Sequence, residues 1–137
     1  MTQFTLDQSS ALLPLVRTIA DEIVERRGEK HRLGRIRDDL ESVPTPEGLT
    51  RSLADLDARI FEHDTGLRRA VGEIEALGLS LLRLNPLTIH FPGRTRTGNV
   101  VFCWQEGEEF LCHGHALGEE EEPRRPLKVR VVHAPNG

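Results

Sequence analysis

A change of hydrophobic period at Gly78 is the feature that most restricts what this chain can become. Before it, Leu53, Ile60, Leu67 and Ile74 fall seven residues apart, and Leu56, His63, Ala70 and Leu77 follow each of them by three. Such positions share one face only in an α-helix, where they make a four-heptad seam with one polar member, His63. After Gly78 the apolar spacing drops to two, the period of a strand. Gly78 stands where a helix C-cap belongs. The switch predicts an α+β fold: a long antiparallel helical hairpin over residues 1–78, then a small antiparallel β-sheet of four or five strands over 79–134, together forming one domain, 1–137.

The first arm of the hairpin has its own signals. Thr5 and Gln8 have the spacing of a capping box. Pro14 lacks a donor and crowds the preceding turn, which predicts a short helix over about residues 6–13 and a second, long one that restarts at Pro14. Val16, Ile19, Ala20, Ile23 and Val24 recur at helical spacing, and Leu33, Ile36 and Leu40 continue that face. Pro44, Pro46 and Gly48 cannot stay helical and mark the connection. Each long helix should run about 40 Å.

Beyond Gly78, residues 79–84 and 87–91 read as strands around the Asn85-Pro86 turn, with Phe91-Pro92-Gly93 closing the second. Thr97-Gly98-Asn99 turns the chain into the strand Val100 to Trp104. Gln105 to Glu108 reads as a hairpin turn and Phe110 to His115 as its return strand, pairing Trp104 with Glu109. A loop holding Glu119 to Glu122 leads to a last alternating strand, Leu127 to Val132.

Composition excludes several classes. The net charge is −4, which argues against a surface built throughout for nucleic acid. No apolar run reaches the ~18 residues that span a bilayer, and no charged-then-apolar leader opens the sequence. Two cysteines in 137 residues are not a disulfide framework. These features imply a reduced, cytoplasmic protein without membrane attachment.

At Phe91-Pro92 and along Val101 to Glu108 the chain resembles the proteins grouped as domain of unknown function 2203. Phe4-Thr5 with Leu12-Leu13-Pro14, Glu75-Ala76-Leu77-Gly78, and Cys103-Trp104 near Gly107-Glu108 match features of that family in order, from about Phe4 to Leu127. The chain departs from it at His90, where the family usually has Asp, and at Gly114-His115-Ala116, where it usually reads Trp-His-Glu. The glutamate-rich loop replaces a glycine- and aromatic-containing stretch. The resemblance implies a fold and a bacterial, intracellular origin, and no activity.

The residues offer three candidate sites. His113 and His115 lie two apart, so in a strand both imidazoles face one side and can address one metal, zinc or another divalent ion. His90, His133 or Glu109 could add a third ligand, whereas Cys112 points to the opposite face. Cys103 and Cys112 read as buried thiols too far apart for an easy disulfide. Arg124 and Arg125 suit a carboxylate or phosphate ligand, or a local ion-pair loop. The stretch Arg26 to Arg37 holds six basic residues and one acid. It fits an anionic ligand or nucleic acid, or ion pairs with Asp55, Asp57, Glu62 and Asp64 across the hairpin.

No Ser-His-Asp or Cys-His-Asn arrangement can be assembled, so no residue is assigned a catalytic role. The expectation is an interaction module, not an enzyme. It should self-associate as a homodimer through apolar positions between Leu33 and Leu56 that overhang a narrow sheet. The alternatives are a metal-binding protein or metal-dependent enzyme at His113 and His115, and anion binding along Arg26 to Arg37.

Overall fold

The computed structural model describes residues 3–42, 49–96, 98–116 and 124–127. Two helices, α1 (Leu6–Glu41) and α2 (Leu49–Ala76), precede five strands: β1 (Ser80–Leu84), β2 (Leu87–Thr95), β3 (Gly98–Gln105), β4 (His113–Ala116) and β5 (Arg125–Pro126). The helices pack as a hairpin, and the strands form one antiparallel sheet in sequential order. The contacts divide the chain into two compact units. One comprises Met1–Arg17 with Ile74–Gly137, and the other Thr18–Glu73.

In the helical unit part of the heptad seam is buried, with Leu53, Ile60 and His63 half-buried. Leu56, Leu67 and Ala70 are buried, as are Ile19, Ala20, Ile23 and Leu33 from α1. Ile36, expected in the same stripe, is 38% exposed. Ion pairs flank the seam: Glu22 with Arg69, Lys30 with Asp64, and Arg37 with Asp57. Numbers on α2 fall as those on α1 rise, as antiparallel helices require. The connection through Pro44 and Pro46 lies outside the described residues.

Both ends of the helical segment carry the expected caps. The Thr5 and Gln8 backbone amides each donate to the other's side chain, at 2.9 and 3.1 Å. Gly78 adopts a left-handed φ of 90°. Its amide donates to Glu75, and that of Leu79 donates to Ile74. Leu79 and Ile74 are both buried, which completes a Schellman motif.

Pro14 does not divide α1, which runs unbroken through it. A proline costs one hydrogen bond, here to the carbonyl of Ser10, and Ser10 and Pro14 are both exposed. The buried neighbours Leu13 and Val16 hold the helix on the opposite side.

In the sheet unit β2 also runs past its expected end, through Pro92 and Gly93 to Thr95. β1 pairs only as far as His90. Beyond it the outer edge of β2 is taken by Phe4, whose amide donates to Pro92 O while Arg94 donates back to Phe4 O. The missing Pro92 N–H points to this edge, where no ladder bond needs it.

The return strand differs in register from expectation. Cys103 pairs with His113, and β4 spans only His113–Ala116. Glu108 is the cause. Its amide donates to Gln105 O, its carboxylate accepts from Gln105 N, and its carbonyl accepts from the Trp104 indole at 2.9 Å. With Gly107 in the left-handed region at φ 95°, this closes a tight turn. The segment from Glu109 to Cys112 is left out of the ladder. Of the last expected strand, Leu127 is described and lies just past β5; residues 128–132, His133 and the glutamate run lie outside the described residues.

Leu87, Ile89 and Phe91 on β2 and Phe102 and Trp104 on β3 alternate onto one buried face. The opposite face of the same strands is also buried, and there the side chains are Thr88, His90, Val101, Cys103 and His115.

Candidate metal centre

Strand register brings three potential ligands together on that second face. His90 on β2 lies directly opposite Cys103 on β3. His115 on β4 lies opposite Val101, two residues along from Cys103 and therefore on the same side. β2 and β4 are two strand steps apart, about 9.6 Å. The His90 and His115 ring centroids are only 5.3 Å apart, so the imidazoles lean toward each other over β3. One ligand atom from each of His90, Cys103 and His115 lies within 4.8 Å of the other two. All three residues are buried, at 6%, 0% and 6% exposure.

Gly114 keeps β4 in place beside this group. A Cβ there would meet Val101 O at 2.8 Å and Leu127 Cδ2 at 3.0 Å, so a side chain at 114 would push His115 outward.

A charged network borders the thiol. Arg124 donates to Cys103 O at 3.1 Å, to Gln105 Oε1 at 3.2 Å and to Glu108 Oε1 at 2.6 Å. Glu108 Oε2 also lies 3.4 Å from His113 Nδ1. Burial opposes the Arg124 charge, but the Glu108 carboxylate and Cys103 outweigh it and hold the guanidinium's pKa above its ordinary value. Burial likewise pushes the Cys103 thiol up, with Arg124 opposing. A buried, protonated thiol is a poor nucleophile but becomes a thiolate ligand when a metal displaces its proton.

The sequence-predicted residues divide accordingly. His90 and His115 come together, with Cys103 as the third member of the group. His113, on the same strand face, stands half-buried against Glu108 instead. Arg124 is engaged with Glu108, while Arg125 on β5 is exposed. Glu109 is exposed in the loop before β4. Sequence spacing does not bring Cys103 into the group, because the expected register sets it opposite Phe110, whereas the observed register sets it opposite His90 and His113. The preceding hairpin holds the signal: with β2 continued through Pro92 to Thr95, opposite Gly98, residue 90 pairs with residue 103.

In the basic stretch, Lys30 and Arg37 pair with Asp64 and Asp57 as the ion-pair expectation has it. Arg32 pairs with Glu29, and Arg26 with Glu22. Arg26 Nη1 also lies 3.3 Å from His63 Nδ1, so the polar seam residue contacts the basic helix. Asp55 and Glu62 are exposed.

Residues 2–127 match the family described as uncharacterized conserved protein DUF2203. The chain belongs to this family. As a DUF2203 member it carries the two positions singled out above: His90 before the Phe-Pro pair, and His115 within β4. No curated protein and no solved structure matches the chain. No helix among the described residues is long and apolar enough to cross a membrane.

Proposed function

We propose that this DUF2203 member is a metal-binding protein whose ligands are His90, Cys103 and His115, and that its metal is zinc. The observation that carries the reading is the convergence of two imidazoles and a thiol, from three different strands, within 4.8 Å in a buried site. Zinc takes imidazole nitrogen at 2.0–2.1 Å and thiolate sulfur at about 2.3 Å, which sets tetrahedral ligand-to-ligand distances near 3.5 Å. Small side-chain rotations of about an ångström close the group to that size. A thiolate beside two imidazoles selects a borderline or soft metal over magnesium or calcium. The Arg124 guanidinium beside Cys103 supports the thiolate's charge.

Three protein ligands leave a fourth tetrahedral position for water, the pattern of zinc sites that act on substrates. A metal-dependent activity is the natural extension. The two free thiols, Cys103 and Cys112, favour a reducing compartment, the cytoplasm.

Cobalt substitution tests the reading. Untagged protein should bind one equivalent of Co(II) with a thiolate-to-cobalt charge-transfer band. Cys103→Ser should abolish the band while His113→Ala retains it. Less than ~0.1 equivalent of zinc after reconstitution, with no thermal shift on adding metal, removes the proposal.

Self-association through the hairpin stands second. Leu33 and Leu56, expected to await a partner, are already 0% and 7% exposed in the single chain, which leaves Ile36, among the described residues of that stretch, as the exposed large apolar side chain to nucleate such a contact. A monomer by light scattering at micromolar concentration eliminates it.

A further inference from the structure

We propose that the helical unit carries a second, separate site, a groove on the hairpin that binds a nucleotide through its phosphates and its base. The groove is open, has a volume of about 750 Å³, and is lined from both helices. That volume falls within the range of small-ligand sites. Three arginines line it, Arg26, Arg59 and Arg69, against a single acid, Glu62. With Glu22, which bonds two of them from beside the groove, the arginines still outnumber the acids three to two, on a chain of net charge −4.

The arginines are not equivalent, and their differences support a ligand. One carboxylate oxygen, Glu22 Oε2, accepts from Arg26 Nε at 2.8 Å and from Arg69 Nη2 at 3.3 Å, and so orients both guanidiniums. Arg26 is fixed from its other side by His63. Arg59 makes no hydrogen bond or close ion pair among the described residues and is exposed, and its charge acts on Glu29 at longer range. Guanidiniums offer five donors each, more than Glu22 and His63 can use, and planar forks match phosphate oxygens.

Two further residues distinguish this groove from an ordinary ion-pair surface. Gly66 sits inside α2, where glycine weakens a helix. A Cβ at that position would overlap the Arg26 guanidinium, so the glycine makes room for an arginine head in the groove. Phe61 lines the same groove and is 66% exposed. A large exposed aromatic beside arginines is a stacking platform for a base. The basic stretch of α1 contains no Phe, Tyr or Trp. The hairpin supplies Phe61 from α2. A single platform in a groove of this size suits a mononucleotide over a polymer.

The full-length chain can be titrated at low salt with ATP and with inorganic pyrophosphate, followed by calorimetry. ATP should saturate with a submillimolar Kd, and pyrophosphate should bind the same site more weakly. Phe61→Ala should weaken ATP about tenfold and leave pyrophosphate nearly unchanged, because only ATP has a base to stack. Arg59→Ala with Arg69→Ala should weaken both by at least about tenfold. Gly66→Ala should weaken both while the melting temperature holds or rises, since alanine favours the helix but displaces Arg26. A purely structural Gly66 would not separate binding from stability in that way. The proposal is overturned by an absence of saturation at about 5 mM ATP, by a Phe61→Ala loss equal for the two ligands, or by an oligonucleotide that binds far more tightly than ATP. None of these measurements depends on the His90, Cys103 and His115 site.

Discussion

Gly93→Ala should destabilise the sheet although it adds only a methyl group. Gly93 is buried on β2, and a Cβ there would lie 2.7 Å from Phe102 Cδ2 and 3.0 Å from Cζ. Carbon atoms prefer separations of about 3.5–4.0 Å, so the overlap is close to an ångström. Phe102 is 1% exposed and cannot swing into solvent, so strands β2 and β3 must part. Overpacking of this kind costs about 1–3 kcal/mol. Replacing glycine within a strand returns about 0.5 kcal/mol, leaving a net loss of about 0.5–2.5 kcal/mol. For a chain of this length that lowers the melting temperature by about 2–9 °C. Thermal unfolding by circular dichroism measures it. Phe102→Leu removes part of the ring, so Gly93→Ala in that background should cost less than in the wild type, with a coupling of at least about 0.5 kcal/mol. An unchanged or higher melting temperature for Gly93→Ala, or strict additivity in the cycle, would refute the packing argument.

Other outcomes follow from local geometry. Thr5→Ala removes one half of the capping box, and because those bonds are exposed it should cost about 0.5–1 kcal/mol by urea unfolding. Gly72→Ala, on the exposed side of α2 with nothing within 4 Å of the new methyl, should stabilise the protein by up to about 1 kcal/mol in the same assay. Stability should also depend on pH in a definite direction. Hydrogen bonds from Arg37, Lys30 and Arg26 hold the Asp57, Asp64 and Glu22 carboxylates below their ordinary pKa values. A carboxylate depressed in the folded state contributes stability at neutral pH that is lost as pH falls through the acid range. Urea midpoints should therefore fall below about pH 4.5, and Asp57→Asn with Asp64→Asn should flatten that fall. Such exposed pairs are individually weak, so the slope is modest.

The chain's local code determined most of the architecture. Heptad spacing placed α2, because four residues seven apart share one face only on a helix, the face on which Leu67 and Ile74 are buried and Leu53 and Ile60 half-buried. The Thr5 and Gln8 pair and Gly78 set helix ends through bonds that span a few residues and need no distant partner. The antiparallel hairpin and the sheet of alternating strands followed from the same periodicities. Tertiary structure decided what depends on neighbours remote in sequence. Pro14 stays helical because the buried residues around it outweigh one missing bond on the exposed side. Pro92 stays in β2 because Phe4 arrives to pair the edge where proline needs no donor. The register of β4 depends on Glu108 tying the preceding turn, and that register, not the spacing of His113 and His115, sets His90, Cys103 and His115 within reach of one another. A strand's sequence says which residues share a face, but only its pairing says which of them meet.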